Sequence, residues 1–494
     1  MFRSEAGARA HKAHPRLSLL ALALLSGLLP PRRTSACTIG AFSPLSTQSG
    51  AAILWKNRDV ANPDQEIKFF SGGRFRFIAN VYAGESTDVW AGINEAGFAI
   101  MNSNSYNLGG RKGKTADDGN VMYMALGRCA SITDFCKLMD SLNVVGRSTP
   151  ANYGVFDSTG ATLIFEAGNT FYKICDASLD SYNFSLRANY SFSGDSIRLR
   201  GRNRWLRAME LAIPARQQNI ISADWILQVL CRDLGQLGFN PYPLPFTGRY
   251  GNLPRGYLPT ESTISRQTTR SVEIMVGRLP ECPVGSEMMW AVLGSPDVGL
   301  PVPLWIAAGK VPPALDGYVR SQICDEAARV HSYIHSDPRY PAAVNTVALY
   351  TVQTFLAPVE SLIFAMVESS ANTWHKNTPL PEQAYDLSQA VCETILAAYR
   401  RFRENLEPER AVSLTLARLV TPANSRELLI QLPTELVNRE LFIYDAIGRR
   451  RLTITAPTDR NSYSCDISSL PRGSYFILTG GDRQQRLFRL DYFR

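Results

Sequence analysis

Two strand–turn–strand units restrict this chain more than any other feature. Val89–Ile93 and Phe98–Asn102 flank Asn94-Glu95-Ala96-Gly97, while Tyr153–Phe156 and Ala161–Phe165 flank Asp157-Ser158-Thr159-Gly160. Apolar runs of this length around Asn/Asp/Gly turns read as antiparallel hairpins. Ala51–Trp55 is a further apolar run, entered through Ser-Thr-Gln-Ser-Gly. Helical text follows and intervenes: a start at Ser131, with Asp134 in the first turn, then stretches over 202–212, 222–235, 316–335 and 381–406. Hairpins with helices grouped between them predict layered α+β packing. Beyond about residue 410 the text becomes short alternating strands (Leu428–Leu432, Glu440–Tyr444, Arg451–Ile454, Ser474–Leu478 and Leu487–Leu490), which predicts a small β-sandwich.

The whole chain of 494 residues carries a formal charge of +8, which invites a nucleic-acid reading. The charge is unevenly placed. Residues 1–36 carry +5 and residues 411–494 carry +4 (12 Lys/Arg against 8 Asp/Glu), leaving the main body near −1. Phosphate-backbone binding needs a concentrated basic surface, so no nucleic-acid partner is expected.

Basic residues precede the apolar run Leu17–Leu29, which leads through Pro-Pro-Arg-Arg-Thr-Ser-Ala to Cys37. Thirteen residues make a helix of roughly 20 Å, short of a bilayer core of about 30 Å. With Thr34 and Ala36 at −3 and −1, the segment reads as a secretory signal cut before Cys37. Cleavage is preferred to lipidation of Cys37 because Thr34 stands where a lipobox has an aliphatic residue. No later stretch is expected to span a membrane. Eight cysteines follow Cys37, none in C-x-x-C spacing, and are expected as buried thiols or disulfides.

Exposure of Cys37 as residue one would place its thiol beside its own α-amine, giving nucleophile and general base in one residue. Histidine is correspondingly scarce: only His331, His335 and His375 lie beyond the leader. His331 and His335 are four apart but have no evident third ligand, so a helix face is expected there. Neither metal nor cofactor is expected.

Cys37-Thr38, Trp55-Lys56-Asn57-Arg58-Asp59, Gly92–Gly97 leading to Met101-Asn102, and the Asp157–Ala161 turn resemble the N-terminal-nucleophile amidases. More closely, they resemble the branch of choloylglycine hydrolases, penicillin V acylases and acyl-CoA:isopenicillin N acyltransferases, a similarity that runs from Cys37 to about Ile306. It implies a four-layer αββα sandwich and hydrolysis of a linear amide through a Cys37 thioester. It also implies autoproteolytic or signal-peptidase exposure of Cys37. Its roles carry over as Cys37 nucleophile, Asp59 orienting the amine, the Asn102 backbone N–H and Asn189 side chain facing the oxyanion, and Arg266 in the site. The family's Gly-Arg-Asn-x-Asp is here Trp55-Lys56-Asn57-Arg58-Asp59, so Lys56 and Arg58 compete as the cation nearest the thiolate, with Arg58 slightly preferred for its planar fork.

At the other end, Phe442–Arg449, Asp466–Phe476 and Arg489–Arg494 resemble the sorting domain of type IX secretion, although Thr421-Pro422-Ala423-Asn424 replaces the usual Pro-Asn-Pro opening. The expected organisation is a signal peptide over 1–36, a catalytic domain over 37–335, a helical extension over 336–410 and an immunoglobulin-like sandwich over 411–494. The expected partners are a small-molecule amide and the type IX machinery of a Gram-negative cell, with export through the periplasm to the surface or medium. Self-association is left open. Two other readings stay open: an acyltransferase using the same thioester, and a catalytically silent surface-displayed binding protein.

Overall fold

The computed structural model describes residues 36–109, 116–283, 285–317, 321–374 and 380–406, and near the C-terminus 427–431, 441–445, 450–454, 462–466, 469–471, 473–479 and 487–492. The leader as far as Ser35, His375 and the 421–424 segment lie outside these. The chain divides into two compact units, Met1–Arg403 and Glu404–Arg494.

The first unit is built on two antiparallel sheets. One follows chain order as a meander: β3 (Gln65–Phe70), β4 (Phe77–Tyr82), β5 (Val89–Asn94), β6 (Ala99–Asn104), β7 (Ala151–Phe156), β8 (Thr162–Ala167) and β9 (Tyr172–Asp176). Both hairpins read from the sequence belong to it, and both turns end on a glycine with positive φ, Gly97 at 78° and Gly160 at 83°. A side chain there would be strained. The other sheet has the order β10 (Phe184–Arg187), β1 (Thr38–Phe42), β2 (Ile53–Asp59), β12 (Thr269–Val276), β13 (Met288–Leu293) and β14 (Val302–Trp305). The short strands β11 (Tyr257–Pro259) and β15 (Ala343–Asn345) pair separately.

β1, β2, β12 and β13 pack across β5–β8, so the sheets lie face to face. Helices α1 (Asp118–Arg128) and α2 (Ile132–Val145) cover the outer face of the meander. Alternate residues of the strands (Phe77, Ala79 and Val81; Phe98 and Ile100; Tyr153 and Val155) close there on Val121, Met122, Leu126, Phe135 and Met139. Ser131 caps α2 by accepting the Asp134 N–H, as the sequence predicts. α3 (Arg202–Gln217) packs on β10 and α4 (Gln322–Ile334) on β13. The order of layers is therefore helix, sheet, sheet, helix.

The predicted helix over 222–235 is shorter, covering residues 223–230, and just beyond its end the Asp233 carboxylate accepts the Gly235 N–H. That over 316–335 begins later, where Ser321 caps Cys324. Two long helices follow, α5 (Thr346–Trp374) and α6 (Pro381–Leu406). The expectation that no later stretch is long and apolar enough to span a membrane is corrected by α5: Thr346–Ser370 meets both measures, with a mean hydropathy of 1.4 over an 18-residue window. Glu360 and Glu368 are its only charged residues, and Leu349, Val352, Leu356 and Ile363 are buried in the protein. Glu360 also pairs with Arg232 at 2.6 Å.

Cys129, Cys136, Cys175, Cys231 and Cys392 are thiols and not disulfides; Cys129, Cys231 and Cys392 are of the buried kind expected, and Cys136 and Cys175 are half-buried. In the second unit, strands Leu441–Asp445, Arg450–Ile454, Gly473–Thr479 and Leu487–Tyr492 form one antiparallel sheet, and Glu427–Gln431 pairs with Ser462–Asp466.

Candidate active site

Cys37 stands immediately before β1, whose neighbour β2 runs antiparallel with Thr38 opposite Asn57 and Ile39 opposite Lys56. Alternation along β2 sends its polar residues to two faces. Lys56 and Arg58 point toward the meander, while Asn57 and Asp59 point the other way.

On the outer face, Asn57 Nδ2 donates to the carbonyls of Cys231 and Ile264, anchoring the strand beneath the loops. Asp59 is 1% exposed. A β-bulge between Thr269 and Ser271 brings Thr269 opposite Asp59, and Thr269 Oγ1 donates to Asp59 Oδ1 at 2.6 Å. Arg266 Nη1 reaches Asp59 Oδ2 at 3.2 Å and Arg204 Nη1 lies 3.7 Å from the same atom. Burial pushes the Asp59 carboxyl up, and the Arg266 and Arg204 guanidiniums oppose it.

Arg204 holds this corner together. It donates from Nη1 to the Cys37 carbonyl at 2.7 Å and to Thr38 Oγ1 at 2.6 Å, and from Nη2 to Asn189 Oδ1 at 2.6 Å. Asn189 donates from Nδ2 to the Asn104 carbonyl at 3.1 Å. An amide nitrogen carries two hydrogens, so the second remains for another acceptor.

On the inner face, the Lys56 ammonium is buried and donates to the Trp90 carbonyl at 2.6 Å and to Asn102 Oδ1 at 2.7 Å. Asn102 in turn donates to Asp118 Oδ2 at 2.6 Å, at the start of α1. Asn102 lies opposite Tyr153 in the β6–β7 ladder. Glu273 sits opposite Lys56 on β12 and is fully buried. Burial raises the Glu273 and Asp118 carboxyls and lowers the Lys56 ammonium. Arg58 is drawn off elsewhere: its guanidinium lies 4.3 Å from the Tyr82 ring centre and 4.4 Å from that of Trp90, and donates to Gln65 Oε1 at 2.6 Å.

Burial raises the Cys37 thiol pKa; Lys56 is the leading influence against this, and a backbone hydrogen bond from Asp59 and the charge of Arg58 act in the same direction. Of the two competing cations, Lys56 therefore has the stronger hold on the sulfur. Ala36, the residue ahead of Cys37, is 6% exposed and donates its N–H to the Asp59 carbonyl at 3.1 Å.

The structure thus gathers Cys37, Asp59, Asn189 and Arg266 around Arg204, with Lys56 and Asn102 bridging the sheets on the other side. Arg58 is the member held apart. Arg204, Thr269 and Glu273 escape a reading of the sequence. Arg204 is one of four arginines at alternate positions from 198 to 204, and nothing local distinguishes it from its neighbours. His331 and His335 lie with ring centres 4.5 Å apart and ring planes tilted by 41°, and the described residues contain no group of three or more His, Cys, Asp or Glu placed to hold a metal.

No family model matches the chain, and no curated protein matches it. Among solved structures it is similar to two variants of conjugated bile acid hydrolase from Clostridium perfringens, at 10% and 11% identity, covering 51% and 52% of this chain and 89% of each of those chains, with TM-scores of 0.33 and 0.32. It is also similar to penicillin V acylase from Agrobacterium tumefaciens, at 15% identity over 55% of this chain and 85% of that one, with a TM-score of 0.34.

Proposed function

We propose that this protein is an exported amidohydrolase that cleaves a linear amide through a thioester on Cys37. One observation supports the reading: Cys37 at the head of β1 offers its carbonyl to Arg204, the arginine that with Arg266 flanks the buried Asp59, while the buried Lys56 charge acts on its thiol. Once Cys37 is residue one, its α-amine takes the thiol proton, and Asp59 orients that amine. The thiolate attacks the substrate carbonyl, and the second amide hydrogen of Asn189 and the Asn102 backbone N–H face the oxygen on which charge develops. The ammonium returns its proton to the departing nitrogen, so the amine leaves as the thioester forms. Water then attacks the thioester, releasing the acid and restoring the thiol. The second unit is proposed as an immunoglobulin-like sorting module of type IX secretion, a reading supported by the Phe442–Arg449 and Asp466–Phe476 text.

The test is the mature N-terminus together with a screen for amines released from N-acyl amides. A free Cys37, turnover by the processed protein, and none by Cys37→Ala are expected. Wild-type turnover by Cys37→Ala with unchanged processing would remove the nucleophile from the mechanism.

A further inference from the structure

We propose that a cavity beside Ala36 receives a negatively charged group on the acyl half of the substrate; this rests on the thioester reading above. The cavity has a volume of about 350 Å³, and Ala36, Arg200, Arg202, Arg204, Arg266 and Glu261 are among its lining residues.

Its place relative to the nucleophile fixes which half of the substrate it meets. The Ala36 carbonyl is the acyl group joined to the Cys37 nitrogen. When Sγ attacks that carbonyl, an Sγ–C bond forms, the C–N bond breaks and the thiol proton passes to the freed amine. The product is an acyl group on Sγ, the same species a substrate amide generates. The chain that continues from a substrate's acyl carbon therefore takes the direction of the Ala36 side of the bond, into this cavity.

Charge then fixes the class. Four guanidiniums line the cavity against the single carboxylate of Glu261. Arg204 and Arg266 are committed to Asp59, which offsets one charge of that pair. Arg200 and Arg202 are exposed, and Arg200 lies 4.8 Å from the Tyr106 ring centre, which supports its guanidinium at the rim. The sixteen-residue α3 also begins here, behind Gly201, whose φ of 80° and missing side chain leave the first turn without a side-chain cap. Its positive end adds to the same field. A carboxylate, sulfonate or phosphate on the acyl chain satisfies these donors, whereas a purely apolar acyl group leaves them in water.

The processed protein is assayed with three anilides that share a five-carbon acyl chain: glutaryl p-nitroanilide, its methyl ester, and pentanoyl-4-aminobenzoate, which carries the carboxylate on the amine half. Turnover of the glutaryl amide should exceed that of its ester at least ~10-fold, the advantage should shrink with added salt, and Arg200→Glu/Arg202→Glu should cut the anionic-to-neutral ratio by ~10-fold or more. Equal or faster turnover of the ester, a preference that follows the amine-side carboxylate, or a ratio unmoved by charge reversal overturns the proposal. Calorimetric binding of glutaryl p-nitroanilide to Cys37→Ala, with residues 1–36 removed at an inserted protease site, separates the two readings, because it needs neither turnover nor self-cleavage. Binding that is lost on charge reversal keeps the anion site even if no amide is ever cleaved; binding that survives charge reversal overturns it.

Discussion

The Lys56 ammonium on β2 donates to the Asn102 side chain on β6 at 2.7 Å, which makes it a polar tie between the two sheets at the level of Cys37. The same ammonium is the strongest electrostatic support of the thiolate. Lys56→Met should therefore raise the Cys37 pKa further. Iodoacetamide labelling of the Cys37 peptide, followed by mass spectrometry across pH, reads this directly. Arg58→Met should move the profile less, because that guanidinium is held against Tyr82 and Trp90. An unmoved profile in Lys56→Met would refute the assignment.

Asn189→Ala should lower kcat by about 10²–10³ through loss of an oxyanion donor, with KM changing far less. It also removes the acceptor of Arg204 Nη2 and the donor to the Asn104 carbonyl, so stability should fall by about 1–3 kcal/mol. Kinetics per titrated Cys37 separate these effects from a thermal melt. A lowered melting temperature with unchanged kcat per thiol would leave Asn189 as a strut alone.

Acid should destabilise the protein through its histidine pair. Burial lowers His335 from an ordinary 6.5 to about 4 and drives His331 down in the same direction. Below pH 6.5 the unfolded chain takes up protons that the folded imidazoles refuse, so stability is lost as pH falls from 6.5 toward 4. His335 alone accounts for roughly 3 kcal/mol at the low end. His335→Asn offers an amide in place of the Nδ1 that meets the Ala343 carbonyl at 2.9 Å, and should flatten the decline in Tm over that window. An unchanged slope contradicts the assignment.

The two hairpins and the Ser131 cap were legible because each is a local statement: turn residues with positive φ between apolar runs, or one hydroxyl three residues before an N–H. Helix α6 begins and ends where its text does, at Pro381 and Leu406. The first helix, α1, was not legible, since the glycines at 119 and 127 and its first-turn acids obscure an amphipathic period that only the cover of β5 and β6 explains. Within the candidate site, Cys37 could be chosen from its place after the leader, and Asp59 only from the resemblance. The partners of Asp59 could not. Arg204 lies 145 residues away and Thr269 210 away, and Thr269 reaches the carboxylate only through the displacement at Arg270. Sheet register brings such residues together, and no local pattern encodes it. The Arg58 guanidinium is held by aromatic rings on β4 and β5, which the strand itself does not contain.

The hydrogen bond from the Ala36 N–H to the Asp59 carbonyl implies an order of events. Ala36 is already seated against β2, with only 6% of its surface reachable. An external peptidase needs an extended, accessible stretch on both sides of the bond it cuts, so such an enzyme would have to act on the chain before this corner closes. With the Cys37 thiol as the nucleophile proposed above, cleavage after closure would be intramolecular, a first-order process whose rate does not depend on how much protein or protease surrounds it.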